Sequence, residues 1–309
     1  MTSRVMIVDP IPARCTILRV MLLAVPYEVS AVDSCEAALA TVKTARPDLI
    51  VLTSSALSGD CKTLCATLRD RADTRGIPVL ILGGPDTTKA RFHALDIGAE
   101  DIIPDPVSES LLLARIRSLL RRATVMRDLD RQADTLRFMG LREGRGTRIA
   151  PACVLLQSDS SSAARLAALL QAGLGQRVRT VPLCPAPENA ARSIRPDLVV
   201  VDGTLGALDR SRLSAHLTDL RSRPASRQAA ILVLLSAQDQ DLAALAFDLG
   251  AHDVVRGAVD APELGLRARR LLAQMMPRPE AGPSIPLPFE RGAIPSRADP
   301  APTEARWFS

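Results

Sequence analysis

An internal repeat restricts the fold of this chain more than any other feature. Pro47-Asp48-Leu49-Ile50-Val51-Leu52 returns 149 residues on (47 to 196) as Pro196-Asp197-Leu198-Val199-Val200-Val201. Asp96-Ile97-Gly98-Ala99-Glu100-Asp101-Ile102-Ile103 returns 152 residues on (96 to 248) as Asp248-Leu249-Gly250-Ala251-His252-Asp253-Val254-Val255. The copies keep their order with small insertions between them, and the period is far too long for a solenoid. Two whole domains are therefore duplicated, which a 309-residue chain accommodates at roughly 150 residues per domain.

Within each copy, short β-branched runs alternate with helical spacing. Val5–Val8, Glu28–Val32, Leu49–Leu52, Val79–Leu82 and Asp101–Ile103 read as strands of the first copy. Val154–Leu156, Val178–Val181, Leu198–Val201, Ile231–Leu234 and Asp253–Val255 are their counterparts in the second. Continuously apolar strands are buried on both faces, as in a parallel sheet flanked by helices. The expected fold class is α/β: two tandem doubly wound (βα)5 flavodoxin-like domains with parallel five-stranded sheets, joined by an extended helix. In such sheets the site lies beyond the carboxyl ends of the strands. Two α/β domains that retain no chemistry remain an alternative on this pattern alone.

From Leu111 to Gly140 there is no proline, and Leu112, Leu119, Met126 and Ala133 recur every seventh position. The last helix of the first copy is expected to run on as an amphipathic connector. The layout is then a first domain over 1–124, a basic helical connector over 125–150, a second domain over 151–276 and a tail over 277–309. Eight prolines and little periodicity in that tail predict disorder.

The motifs resemble the receiver domains of bacterial two-component response regulators, in the tandem arrangement of PleD-type diguanylate cyclases. The resemblance covers about residues 3–275 and rests on the acidic end of the first strand, P-D-L-I-x-L before the acceptor position and G-A-x-D-x-I before the fifth-strand end. Arg115-Ile116-Arg117-Ser118-Leu119 in the connector also looks like that type. No G-G-[DE]-E-F run occurs in the sequence, so the cyclase activity of that type is not expected. The resemblance implies a Mg²⁺ site of hard oxygen ligands and an aspartate that accepts a phosphoryl group.

Residue by residue, the first copy departs from that pattern. Its acid pair is Asp9-Pro10, Thr53 stands at the acceptor position, Gly83 at the hydroxyl position and Asp105 at the lysine position. These positions are expected to be without function, making the first domain a pseudo-receiver. The second copy keeps Asp202 as a candidate phosphoacceptor and Ser236 as a phosphoryl-binding hydroxyl. Asp159, Asp202 and the backbone carbonyl of Thr204 would be the Mg²⁺ ligands, whereas Gly257 replaces the lysine. Ile102 and Val254 stand where the family's switch aromatic would be.

Other chemistry has little support. His93, His216 and His252 are scattered, and no Walker A or G-x-G-x-x-G run occurs. The six cysteines include no C-x-x-C pair, and they read as reduced thiols of a cytoplasmic protein. No apolar run near the N-terminus has the length of a signal or a membrane span. The net charge of +5 hints at an anionic partner. Residues 114–148, however, carry ten Arg against four acids, a local +6, so the excess belongs to the connector. Only seven aromatic residues occur, which argues against base stacking, and no nucleic-acid or membrane partner is expected.

The leading expectation is a non-catalytic adaptor of two-component signalling that acts by protein–protein interaction, not an enzyme. Its fourth- and fifth-helix surfaces would face a histidine kinase, another receiver protein, a diguanylate cyclase or a second copy in a homodimer. The alternative is a phosphoacceptor or phosphate sink through Asp202.

Overall fold

The computed structural model describes residues 2–23, 25–58, 61–139, 153–158, 163–183, 195–204 and 208–275. The first domain contains strands β1 (Arg4–Val8), β2 (Glu28–Val32), β3 (Leu49–Thr53), β4 (Val79–Leu82) and β5 (Asp101–Ile103). Its helices are α1 (Pro12–Leu22), α2 (Cys35–Thr44), α3 (Cys61–Asp70), α4 (Thr88–Asp96) and α5 (Glu109–Phe138). The second contains β6 (Val154–Gln157), β7 (Val178–Val181), β8 (Leu198–Gly203), β9 (Ala230–Leu235) and β10 (Asp253–Arg256). Its described helices are α6 (Ala163–Leu174), α7 (Arg210–Ser222), α8 (Gln240–Asp248) and α9 (Ala261–Met275).

Each set of strands forms a parallel five-stranded sheet, in the orders β2-β1-β3-β4-β5 and β10-β9-β8-β6-β7. Counted in each domain's own strands, both orders are 2-1-3-4-5, the doubly wound arrangement expected from the repeat. The inner strands β3, β4, β8 and β9 are buried along their whole length, as their unbroken apolar runs require. The edge strands β2 and β7 are mostly part-exposed and carry more polar residues. Local signals place the helix ends. Ser34, Thr87 and Asp209 cap α2, α4 and α7, each side-chain oxygen accepting a backbone N–H from the first turn. Gly98 and Gly250, the glycines of the repeated motif, follow α4 and α8 with φ of +103° and +96°, a conformation that only glycine adopts cheaply.

The domains meet through the faces of α4, β5 and α5 on one side and α8, β10 and α9 on the other. A single apolar cluster crosses the seam, from Leu112, Ile116 and Leu119 of α5 to Ala243 and Phe247 of α8. Four charged side chains lie inside it, with Arg115 and Arg267 each only 1–2% exposed. Arg115 Nε stands 2.9 Å from Asp101 Oδ2, and its Nη2 lies 2.9 Å from Asp253 Oδ1. Arg267 Nη1 reaches Asp253 Oδ2 at 2.8 Å and Asp101 Oδ1 at 3.2 Å. These are the same two positions in each copy, 152 residues apart, so the pairs interlock about a pseudo-twofold. Arg115 also lies over the Phe247 ring, 4.5 Å from its centroid.

A second layer extends the network. Glu263 accepts from Arg91 at 2.9 Å and from Arg267 at 3.1 Å, and Arg91 also pairs with Asp86 at 2.6 Å. Arg117 grips Asp248 through two nitrogens at 2.8–3.0 Å. Arg122 donates to Gln274, and Arg121 to the Phe247 carbonyl. Burial alone would push Asp253 toward neutrality, but Arg267 and Arg115 outweigh it and hold the carboxyl below its usual range.

This seam corrects one expectation. The surfaces of α4 and α5 do not face outward as docking faces for a partner or second copy, because the other domain of the same chain covers them. Ahead of the connector, Arg115, Arg117, Arg121 and Arg122 bind carboxylates, an amide and carbonyls across the seam. The helix does run on past the first domain as expected, to Phe138. The tail over 277–309 and the end of the connector lie outside the described residues.

Candidate functional site at the strand ends

In the second domain, β8 delivers Asp202 to the carboxyl end of the sheet, where it is 2% exposed. Its Oδ2 accepts from Ser158 Oγ at 2.6 Å. Its Oδ1 accepts from Thr204 Oγ1 at 2.6 Å and from Thr204 N at 3.0 Å. Parallel pairing of β6 with β8 brings Ser158 there, one residue beyond β6. Ser236, one residue beyond β9, donates to the Thr204 carbonyl at 2.9 Å. The structure thus brings Asp202, Thr204 and Ser236 together at the strand ends, with Ser158 beside Asp202. Asp159 lies outside the described residues.

The positive side of the site is weak. Gly257, at the lysine position, has φ of +80° and no side chain to offer. Arg256 turns aside, donating to the Ala237 carbonyl at 2.7 Å. Asp202 and the Thr204 carbonyl are oxygen donors of the kind Mg²⁺ takes. Among the described residues no group of three His, Cys, Asp or Glu side chains is arranged to hold a metal.

The first domain uses the same scaffold differently. Asp9, 2% exposed, accepts from the Ile11 N–H at 2.9 Å and pairs with Arg14 Nε at 3.6 Å. Arg14, in the first turn of α1, also donates to Ser55 at 2.6 Å. A guanidinium therefore supplies the positive charge beside the acid, and this donor set does not fit a divalent cation. Thr53 is buried and donates to the Val8 carbonyl at 3.4 Å. Gly83 has φ of +90°, and a Cβ there would stand 2.7 Å from Ser54 Oγ and 3.0 Å from Asp105 Oδ2. Asp105 itself accepts from the Gly84 N–H at 3.1 Å. Ile102 and Val254, at the switch positions, are both buried. Sequence reasoning missed Arg14. A basic residue four positions beyond Pro10, in the first turn of α1, was the available signal.

Two of the three histidines make internal hydrogen bonds: His216 shares one with Gln157 at 2.7 Å, and His252 Nδ1 accepts the Ile231 N–H at 3.1 Å, whereas His93 is exposed. Burial, with Arg221 and Arg122 nearby, lowers His252 to about 3, so its ring is neutral.

The two domains thus share one scaffold and differ at their strand ends. Residues 5–117 match the response regulator receiver domain family. Over 273 residues, 87% of this chain and 59% of the relative, the sequence is 32% identical to the response regulator PleD of Caulobacter vibrioides. It is 36% identical over 124 residues to the response regulator MprA of Mycolicibacterium vanbaalenii, covering 40% of this chain and 53% of that protein. A solved two-component response regulator from Clostridium difficile aligns with 39% of this chain and 98% of its own, at 24% identity and a TM-score of 0.36. Residues 5–117 thus form a receiver domain of the response regulator type. The chain's two parallel five-stranded domains make it a tandem receiver-like protein similar to the response regulator PleD, and it spans less than two thirds of that relative's length. Among the described residues no helix is long and apolar enough to cross a membrane.

Proposed function

We propose that the chain is a non-catalytic adaptor of two-component signalling, with a first receiver that does not accept phosphoryl groups. One observation carries this reading: at the first site a threonine replaces the acceptor carboxylate, and Arg14 stands beside Asp9 where a metal would be needed. A hydroxyl yields a phosphate ester rather than the reactive acyl phosphate, and Asp105 would repel an incoming phosphoryl group. The seam supports the same reading, because it joins the receivers into one body whose output is shape. Partners would be a histidine kinase, another receiver protein or a diguanylate cyclase, bound on surfaces outside the seam. A homodimer would likewise use those surfaces.

Asp202 favours a second reading, a phosphoacceptor or phosphate sink. In that case an Asp202 oxygen forms the new O–P bond as the donor's P–N bond breaks, with Ser236 turning from the Thr204 carbonyl to the phosphoryl oxygens. Mg²⁺, held by Asp202, the Thr204 carbonyl and Asp159, would supply charge neutralisation. The readings separate on Asp202→Ala. The adaptor keeps its signalling output in cells with this variant, and the sink loses it.

A further inference from the structure

We propose that Cys35 and Cys61 form a reversible dithiol–disulfide pair, a thiol-modification site of the first receiver. The two residues are 26 apart in sequence, yet their sulfurs approach to 2.7 Å in the folded chain. A disulfide is about 2.05 Å long, so a small side-chain rotation closes the remaining gap. Cys35 is the first residue of α2 and Cys61 the first of α3. The thiolate is the form that reacts. Cys65 sits one turn further into α3, where burial pushes its thiol up to about 11. Three neighbouring sulfurs would otherwise suggest a soft metal, but among the described residues no cluster is arranged to hold one.

The oxidant is a small peroxide. The Cys35 thiolate, the more exposed of the two at 7%, attacks one peroxide oxygen. The O–O bond breaks, the sulfur becomes a sulfenic acid, and the departing hydroxide takes a proton to leave as water. The Cys61 thiolate then attacks that sulfur and expels a second hydroxide, which is protonated to water. Two thiols and one hydrogen peroxide thus give one disulfide and two waters, and a dithiol reductant reverses the change.

The site has a route to the old acceptor region. The Cys61 thiol donates to the Ala56 carbonyl at 2.7 Å. Ala56 lies in the 3₁₀ turn Ser54–Ser58, which directly follows Thr53 and presents Ser55 to Arg14. Disulfide formation removes that S–H donor and ties α2 to α3, so the turn beside Thr53 responds to oxidation in place of phosphorylation. Such a role suits a compartment where disulfides are transient.

The test treats the full chain with a slight excess of hydrogen peroxide, alkylates it in denaturant and maps the peptides by mass spectrometry. The expected result is a fall from six alkylated cysteines to four, a peptide linking Cys35 to Cys61, and recovery of all six after dithiothreitol. Cys65→Ser keeps the link and Cys35→Ser loses it. Full alkylation of Cys35 and Cys61 in the peroxide-treated wild-type chain overturns the proposal, as does a link from either of them to a different cysteine. The wild-type map decides even where a variant fails to fold.

Discussion

The two copies of the repeat differ most where their chemistry would lie and least where they hold each other. Asp101 and Arg115 in one copy match Asp253 and Arg267 in the other, and all four meet in the seam. Arg69 and Arg221 are likewise equivalent. Arg69 donates to the carbonyls of Arg75, Ile77 and Gly98 and to Glu100. Arg221 donates to those of Arg227, Ala229 and Gly250 and meets His252. At the strand ends the match fails: Asp9 faces Arg14 in one copy, whereas Ser158 serves Asp202 in the other. The comparison teaches that the packing role of each copy and its acceptor role are separable, since they occupy opposite parts of the same scaffold.

The sharpest way to break that contrast is phosphorylation with acetyl phosphate and Mg²⁺, followed by intact mass and peptide mapping. Any adduct is expected on Asp202 and falls to none in Asp202→Asn. Thr53→Asp adds no second adduct, because Arg14 and Asp105 remain; a phosphoryl group on the first domain would erase the distinction between the sites.

Next in size is the seam. Arg267→Ala leaves Asp101, Asp253 and Glu263 buried without their shared cation, at a cost of roughly 3–5 kcal/mol. Its urea midpoint is expected to fall accordingly, and Arg115→Ala to fall by a similar amount. A loss below about 1 kcal/mol in both, as at exposed pairs, would show that the network does not bind the domains together. The paired scaffold arginines give a smaller test. Arg69→Ala and Arg221→Ala each remove charged hydrogen bonds to backbone carbonyls, about 1.5–3 kcal/mol apiece. Equal losses sharpen the equivalence of the copies, and a large inequality breaks it.

The smallest effect concerns pH, at the position where the copies hold Glu100 and His252. His252 is lowered from 6.5 to about 3 in the folded chain, so between those values the unfolded chain binds the extra proton. Stability is therefore complete above about pH 6.5 and falls on acidification, by up to roughly 1.4 kcal/mol per pH unit. Glu100 acts in the same sense but lower in pH. Burial raises it, yet Arg122, Arg69 and Arg270 outweigh burial and hold it below the carboxylate range. Thermal melts from pH 7 to 4.5 should show the slope in the wild type and a flatter profile in His252→Gln. An unchanged slope would place the titration elsewhere.

Much of this was legible in the sequence. Four of the ten strands, Glu28–Val32, Val79–Leu82, Asp101–Ile103 and Val178–Val181, match their predicted bounds, and the others run only one or two residues longer. Side-chain period and β-branching are local properties, and a buried parallel strand writes them directly into the chain. The identities at Thr53, Gly83, Asp105, Asp202, Ser236 and Gly257 were equally readable, because each stands at or within two residues of a strand's carboxyl end.

The tertiary structure alone decided the rest. A run of arginines looks the same whether it is solvated or sealed in an interface, and only packing against α8 and α9 shows that Arg115 is internal and that its neighbours reach across the seam. Ser158 as the donor to Asp202, Arg14 beside Asp9, and Cys35 against Cys61 join residues on different elements. Local sequence fixes each element because its periodicity and caps act over a few residues. Which side chains then share a site depends on how distant elements close together, and no short-range pattern encodes that distance.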